Sequence, residues 1–234
     1  MSSSIARRFW VSGASSGLGL TLVEQLLEQG AQVAASGKRC EALRSLTEQY
    51  PQRLLLLDGN LTEPFTAQQA AKQIADRWGA LECLIINAGT CDYLALGTPA
   101  PAMFESIINS NLSASRHCLE NALPLLRHGR SPQVVGIFSR YSSLQLGDPS
   151  QPLTSDNSVI QLLNGQRTAL TTQGIDLTII APKSLNHPQT PVPVALQQWT
   201  ARSAAQAILE RLPERPANLV LEALQQNNLW PLPK

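Results

Sequence analysis

Residues 12 to 19 read Ser-Gly-Ala-Ser-Ser-Gly-Leu-Gly. A glycine cluster between an apolar strand and an amphipathic helix is suited to hold phosphate. Gly13 permits a tight turn, Gly17 lets backbone approach a pyrophosphate, and Gly19 lets the helix pack close to the sheet. The helix start, with Ser15, Ser16 and Leu18 around those glycines, offers free N–H groups and a partial positive charge. The alternative is a tight turn that holds nothing.

A second group follows the second apolar run. Ser36-Gly37-Lys38-Arg39 contains no carboxylate to hold a ribose diol. Lys38 and Arg39 instead offer charge-assisted hydrogen bonds to a 2′-phosphate. The pairing of turn and cations favours NADP(H) over NAD(H). The plainer reading makes Lys38 and Arg39 solvated residues opening a helix.

These groups need elements to place them. Phe9-Trp10-Val11 reads as a strand, and Leu18, Leu22, Val23, Leu26 and Leu27 line one face of a helix closed by Gly30. Strands are expected at Gln32–Ala35, Leu54–Leu57, Leu84–Ile86, Val134–Phe138, Leu177–Ile180 and Leu219–Leu221. Helices are expected at Glu41–Gln49, around Ala70 to Trp78, at Ala102–Arg127, Ser155–Gln173 and Ala204–Leu212. Leu54 to Leu57 is apolar throughout, as a strand covered on both faces should be. Strand and helix alternate from end to end. That order predicts an α/β fold: a single doubly wound parallel sheet of about seven strands, helices on both faces, over 1–234 as one domain. The proline-rich stretch from Pro182 to Gln198 is expected to be a loop on the substrate side, where strand carboxyl ends collect ligands.

Composition narrows the classes. The 234 residues are 43% hydrophobic and 15% charged, with a net charge of +1. That balance gives no electrostatic case for a nucleic-acid or membrane partner. No run is long enough to span a bilayer, and the first eight residues lack the apolar stretch of a secretory signal. Cys40, Cys83, Cys91 and Cys118 have no zinc-type spacing, so no metal site is expected. They read as free thiols in a reducing cytoplasm.

With these residues in view, the chain resembles the short-chain dehydrogenase/reductase family over nearly its whole length. Its glycine cluster matches the family's T-G-x-x-x-G-x-G, with Ser12 for Thr. Asp58 matches the acidic residue that meets the adenine ring. Asn87-Ala88-Gly89 matches the N-A-G after the fourth strand, although Ile86 replaces the usual preceding Asn. Asn111 matches the family's helix Asn, and Ser139 the substrate-orienting Ser. Pro182 matches the Pro after the sixth strand, with Lys183 in place of Gly. The resemblance implies a nicotinamide cofactor, a small-molecule substrate, and a homodimer or homotetramer through the helices at Ala102–Arg127 and Ser155–Gln173.

The resemblance also exposes a gap. Family members carry a proton-donating Tyr and, four residues on, a Lys that lowers its pKa. Spacing four puts the pair on one helix face. The resemblance places the Tyr thirteen residues after Ser139 and thirty before Pro182, and both counts fall on Pro152. The Lys position is Asp156. Asp156 then either opens a late-starting helix, with Pro152 in its first turn, or accepts from ribose hydroxyls. Tyr141 offers a proton from the loop after the fifth strand, or has a structural or substrate-packing role. Lys183 and His187 are further acids or solvated loop residues, and Arg140 would shape the pocket. Three readings stay open: an NADP(H)-dependent oxidoreductase of atypical mechanism, a dinucleotide-binding sensor or partner subunit, and an enzyme of dehydration, isomerisation or cyclisation.

Overall fold

Seven short apolar runs become seven parallel strands in one sheet, in the order β3-β2-β1-β4-β5-β6-β7. The structure is a computed structural model describing residues 6–37, 40–88, 100–138, 158–181 and 200–221. The strands are β1 (Arg8–Ser12), β2 (Gln32–Ser36), β3 (Leu54–Leu57), β4 (Cys83–Ala88), β5 (Gln133–Phe138), β6 (Asp176–Ala181) and β7 (Asn218–Val220). Between them run α1 (Gly17–Glu28), α2 (Glu41–Gln49), α3 (Pro64–Trp78), α4 (Ala100–Arg127), α5 (Val159–Thr172) and α6 (Ala201–Arg211). The expected doubly wound α/β architecture is the one observed.

Alternation along each strand divides the core in two. Phe9 and Val11 of β1 pack with Leu22, Leu26, Leu43 and Ile208, from α1, α2 and α6. Trp10, between them, faces the other way and joins Ile74, Leu119, Leu126 and Leu163, from α3, α4 and α5. Parallel strands need both faces covered, which is why their sequences read as unbroken apolar runs. The chain winds outward from β1 through β2 to β3, then crosses back to place β4 on the other side of β1. That reversal opens a crevice at the carboxyl ends of β1 and β4, the place where such sheets take ligands.

Helix ends differ from expectation by a few residues, for local reasons. α5 begins at Val159, not Ser155, because the Ser158 side chain accepts from the Gln161 N–H at 3.5 Å and caps it there. α6 begins at Ala201, not Ala204, under a reciprocal capping box between Thr200 and Ser203. The glycine that closes α1 sits one step beyond the cap. Gln29 is the cap residue, and Gly30 follows in the left-handed region at φ 86°. Ala71 and Trp78, placed on the inner stripe of α3, are only partly buried, while Ala67 is fully inside.

One ion pair clamps the amino ends of the central strands. The Arg8 Nε donates to Glu82 Oε2 at 2.9 Å, and the Arg8 backbone N–H to the same oxygen at 2.8 Å. The Arg130 N–H donates to Glu82 Oε1 at 3.3 Å. The two side chains are 16% and 5% exposed. Burial pushes the Glu82 carboxyl up, but the Arg8 side chain and the two N–H donors outweigh it and hold it below its ordinary value. The Arg8 guanidinium is correspondingly raised and stays charged. Removing one member of such a pair strands the other. Glu82→Ala should therefore cost about 3 kcal/mol in urea denaturation at neutral pH. Because the folded pKa lies below the unfolded one, this contribution is full above roughly pH 4.3 and fades as pH falls through the folded value. The gap between wild type and variant should narrow in acid, and a gap that stays constant there would exclude Glu82 as its source.

Candidate functional site

The glycine cluster forms the turn between β1 and α1. Gly13 and Gly17 take φ of 62° and 52°, values that favour a residue without a Cβ. Ser16 is the N-cap of α1 in extended conformation, and its side chain makes no cap bond. The first N–H groups of the helix are thus not consumed by that hydroxyl. The Leu18 side chain lies in the core, 5% exposed, and anchors the first turn of the helix, as its place on the apolar stripe implies.

Three neighbouring segments hold the turn. The Ala14 N–H donates to the Ser36 carbonyl at 3.0 Å, which ties it to the end of β2. Ser36 is in turn fixed by Trp10, whose buried indole N–H donates to its hydroxyl at 2.8 Å. From β4, the Asn87 side-chain amide donates to the Gly13 carbonyl at 3.1 Å. The Asn87 backbone N–H donates to the Ser12 hydroxyl at 3.2 Å. Ser12, which stands where the resemblance has Thr, thus keeps a hydroxyl at this position. The Cys40 thiol, at the start of α2, donates to the Ser15 carbonyl at 3.3 Å.

Two glycines are required by close approach. A Cβ on Gly19 would lie 1.9 Å from the Gly13 carbonyl oxygen and 2.8 Å from Asn87 Nδ2. The expected tight packing of α1 is thus a contact of the helix with the turn itself. A Cβ on Gly37 would lie 2.9 Å from the Ser15 nitrogen.

Beside the turn is a cavity of about 160 Å³ between β2, α2 and β3. Its apolar lining is Ala35, Leu43, Leu56 and Leu57. Its polar lining is Cys40, Arg44 and Asp58, which stands directly after β3. A slot with aliphatic walls and a few polar groups suits a flat heteroaromatic ring. Sequence reasoning found Asp58, and Gly37 within the segment after β2, but not Cys40 or Arg44. No motif marks them; their place follows from how β2 enters α2.

Asn111 lies on α4 and is 8% exposed. Ala88 ends β4. Lys38, Arg39, Gly89, Ser139, Tyr141, Asp156 and Pro182 lie outside the described residues. So do Pro152, Lys183, His187, Arg140 and Cys91. Burial pushes the Cys83 and Cys118 thiols up to about 12, so neither is a nucleophile at neutral pH. Among the described residues no helix is long and apolar enough to cross a membrane.

The sequence matches the short chain dehydrogenase family over residues 8–195, and the chain belongs to that family. It is 38% identical over 108 residues to the 3-phenylpropionate-dihydrodiol/cinnamic acid-dihydrodiol dehydrogenase of Escherichia coli O17:K52:H18. That match takes in 44% of this chain and spans 40% of the relative's length. The fold is similar to a short-chain dehydrogenase from Streptomyces avermitilis, with a TM-score of 0.70 at 22% identity, over 92% of this chain and 88% of that one. It is also similar to RhlG of Pseudomonas aeruginosa, solved as an NADP complex, with a TM-score of 0.68 at 23% identity, over 93% and 95% of the two chains.

Gly19→Ala should lower stability, because the nearest atom it meets is the Gly13 backbone carbonyl oxygen, which cannot swing aside. Gly165→Ala on α5, where a Cβ meets nothing within 4 Å, should raise stability instead. A gain of about 0.5–1 kcal/mol is expected there. Melting temperatures of the two variants decide the matter, and a Gly19→Ala protein as stable as wild type would contradict the packing described.

Proposed function

We propose that this chain binds NADP(H) in preference to NAD(H) and is a cytoplasmic oxidoreductase of a small-molecule substrate that works without the customary Tyr–Lys relay. The observation that carries the second half is in the sequence. Of its three tyrosines, Tyr50, Tyr93 and Tyr141, none is followed four residues on by a lysine; those positions hold Leu54, Gly97 and Gln145. No lysine occurs at all between Lys72 and Lys183.

The described residues fit a dinucleotide. Gly13 to Gly19 and the start of α1 would take the pyrophosphate, and the cavity beside Asp58 would take the adenine end. Lys38 and Arg39 would meet a 2′-phosphate, and Asn87, Ala88 and Gly89 would border the crevice beside the turn. Asp156 and Pro182 would complete the ribose and nicotinamide end. The P. aeruginosa fold neighbour was solved with NADP, which supports the same choice. Bound there, a reduced nicotinamide would supply hydride.

The chain's own residues must then orient the acceptor and handle a proton. Ser139 would orient a carbonyl oxygen, Asn111 would hold water near it, and Tyr141 would offer a proton from its loop. Losing a positioned general acid typically costs about 10² to 10⁴ in rate. Orientation survives that loss. An acceptor needing little proton assistance is therefore favoured over an ordinary ketone. The same gap supports a second reading, a dinucleotide-binding sensor or partner subunit without turnover. Assembly as a homodimer or homotetramer belongs to the first reading; Leu123 of α4 and Ile160 of α5 stay only partly buried.

NADPH at a hundredfold excess over its Kd should raise the melting temperature by about 5 °C or more, and NADH at the same concentration by less. Equal shifts would reject the preference, and no shift with either would reject the cofactor. Ser139→Ala should then lower turnover on a panel of carbonyl and activated-alkene substrates. Binding without consumption of NADPH across that panel would replace the enzyme reading with the sensor.

A further inference from the structure

The indole of Trp10 lies on the sheet face away from α1, yet its hydrogen bond ends beside the glycine turn that opens α1. We infer that Trp10 is a positioning residue for dinucleotide binding, holding the turn in shape through Ser36, an inference that rests on the cofactor reading above.

Trp10 and Ser36 are both fully buried. Trp10 belongs to an apolar layer that includes Ala34, Leu57 and Ile86. Ser36 is the last residue of β2, in register with Ser12 on β1 and Leu57 on β3. Alternation along β2 puts its side chain on the face of Ala34, and so in the layer of Trp10. There the indole N–H donates to the Ser36 hydroxyl at 2.8 Å. An indole nitrogen can only donate, so the hydroxyl oxygen is the acceptor. A hydroxyl held in apolar surroundings is costly without such a partner.

The backbone of Ser36 touches the turn. Its carbonyl accepts from the Ala14 N–H at 3.0 Å. The next residue, Gly37, stands so close that a Cβ on it would lie 2.9 Å from the Ser15 nitrogen and 3.2 Å from the Ala14 nitrogen. A small shift of Ser36 therefore stretches the Ala14 bond or presses Gly37 into the turn. Ala14 and Ser15 lead into the first N–H groups of α1, whose direction decides how a pyrophosphate is met. Phenylalanine at position 10 would fill most of the same space and donate nothing. The Ser36 hydroxyl would be left buried without its donor, and the turn would lose what fixes it from below.

The test separates affinity from stability and needs no turnover. NADPH is titrated calorimetrically into the full chain, and urea midpoints are recorded for the same variants. Trp10→Phe should weaken NADPH about fivefold, the worth of one hydrogen bond. Ser36→Ala removes the same bond with a smaller change of volume and should weaken NADPH to a similar degree. The double variant should bind no more weakly than the worse single variant, because both substitutions remove one interaction. A residue that serves only the stability of the fold would lower the urea midpoint and leave the affinity of the folded protein unchanged. Unchanged affinity in either single variant would therefore overturn the inference, while leaving the cofactor reading intact. Single effects that multiply in the double variant would mean two separate routes and overturn it as well. Should Trp10→Phe fail to fold, the affinity of Ser36→Ala decides. Wild-type protein that does not bind NADPH would overturn the cofactor reading itself, and this inference with it.

Discussion

Nothing larger than a hydrogen fits on the α carbon of Gly19. A methyl group there would sit 1.9 Å from the Gly13 carbonyl oxygen. This contact sets how close α1 comes to the end of β1, and so where the first N–H groups of the helix point. The hydrogen bonds around it are modest, each worth about 1 kcal/mol net. They work because the steric contact has already fixed the distance. Asn87 illustrates the order of causes. Its side chain reaches the Gly13 carbonyl at 3.1 Å only because no side chain on Gly19 stands between them. Asn87 is therefore a strut between β4 and the turn, and it borders the crevice by holding its edge.

The same contact propagates outward. Ala14 leans on Ser36, Cys40 on Ser15, and Gly37 on the Ser15 backbone. The β2–α2 connection is thus pressed against the glycine turn, and α2 is delivered with Arg44 over the cavity. Trp10 braces the arrangement from the opposite layer of the core. Its indole N–H reaches through to Ser36, so a residue of the α3–α4 layer positions the end of β2 beside the turn. Glycine turn, neighbouring cavity and sheet core form one packed unit.

Much of this was legible in the sequence because it is written in local patterns. Period and composition located each strand and α-helix among the described residues, since each must bury one stripe or both faces. Gly13, Gly17 and Gly19 were legible because left-handed or crowded backbone demands glycine. Boundaries were less so. Ser158 caps α5 later than the apolar pattern suggests, because a hydroxyl competing for the Gln161 N–H leaves no mark on hydrophobic periodicity. The Arg8–Glu82 clamp was invisible for a different reason. It joins residues 74 positions apart, and neither stands out from other charges in its own segment. Arg44 was missed on similar grounds. Its helix was recognised, but only the tertiary placement of that helix turns a surface arginine into a wall of the cavity.

The two halves of the site differ in what they ask of the chain. The glycine turn is made of backbone amides, which every residue but proline supplies, and of glycines, which steric crowding enforces for the sake of the fold. A proton relay is made of two side chains at two positions, and the fold does not depend on either. Substitution can therefore remove the relay while packing preserves the turn. On the proposed reading the change also reverses sign. A carboxylate at position 156 would raise a neighbouring phenol's pKa, where an ammonium would lower it. Restoring a tyrosine alone would place a poor acid beside an anion, so the relay is recovered only if the charge at 156 is reversed as well.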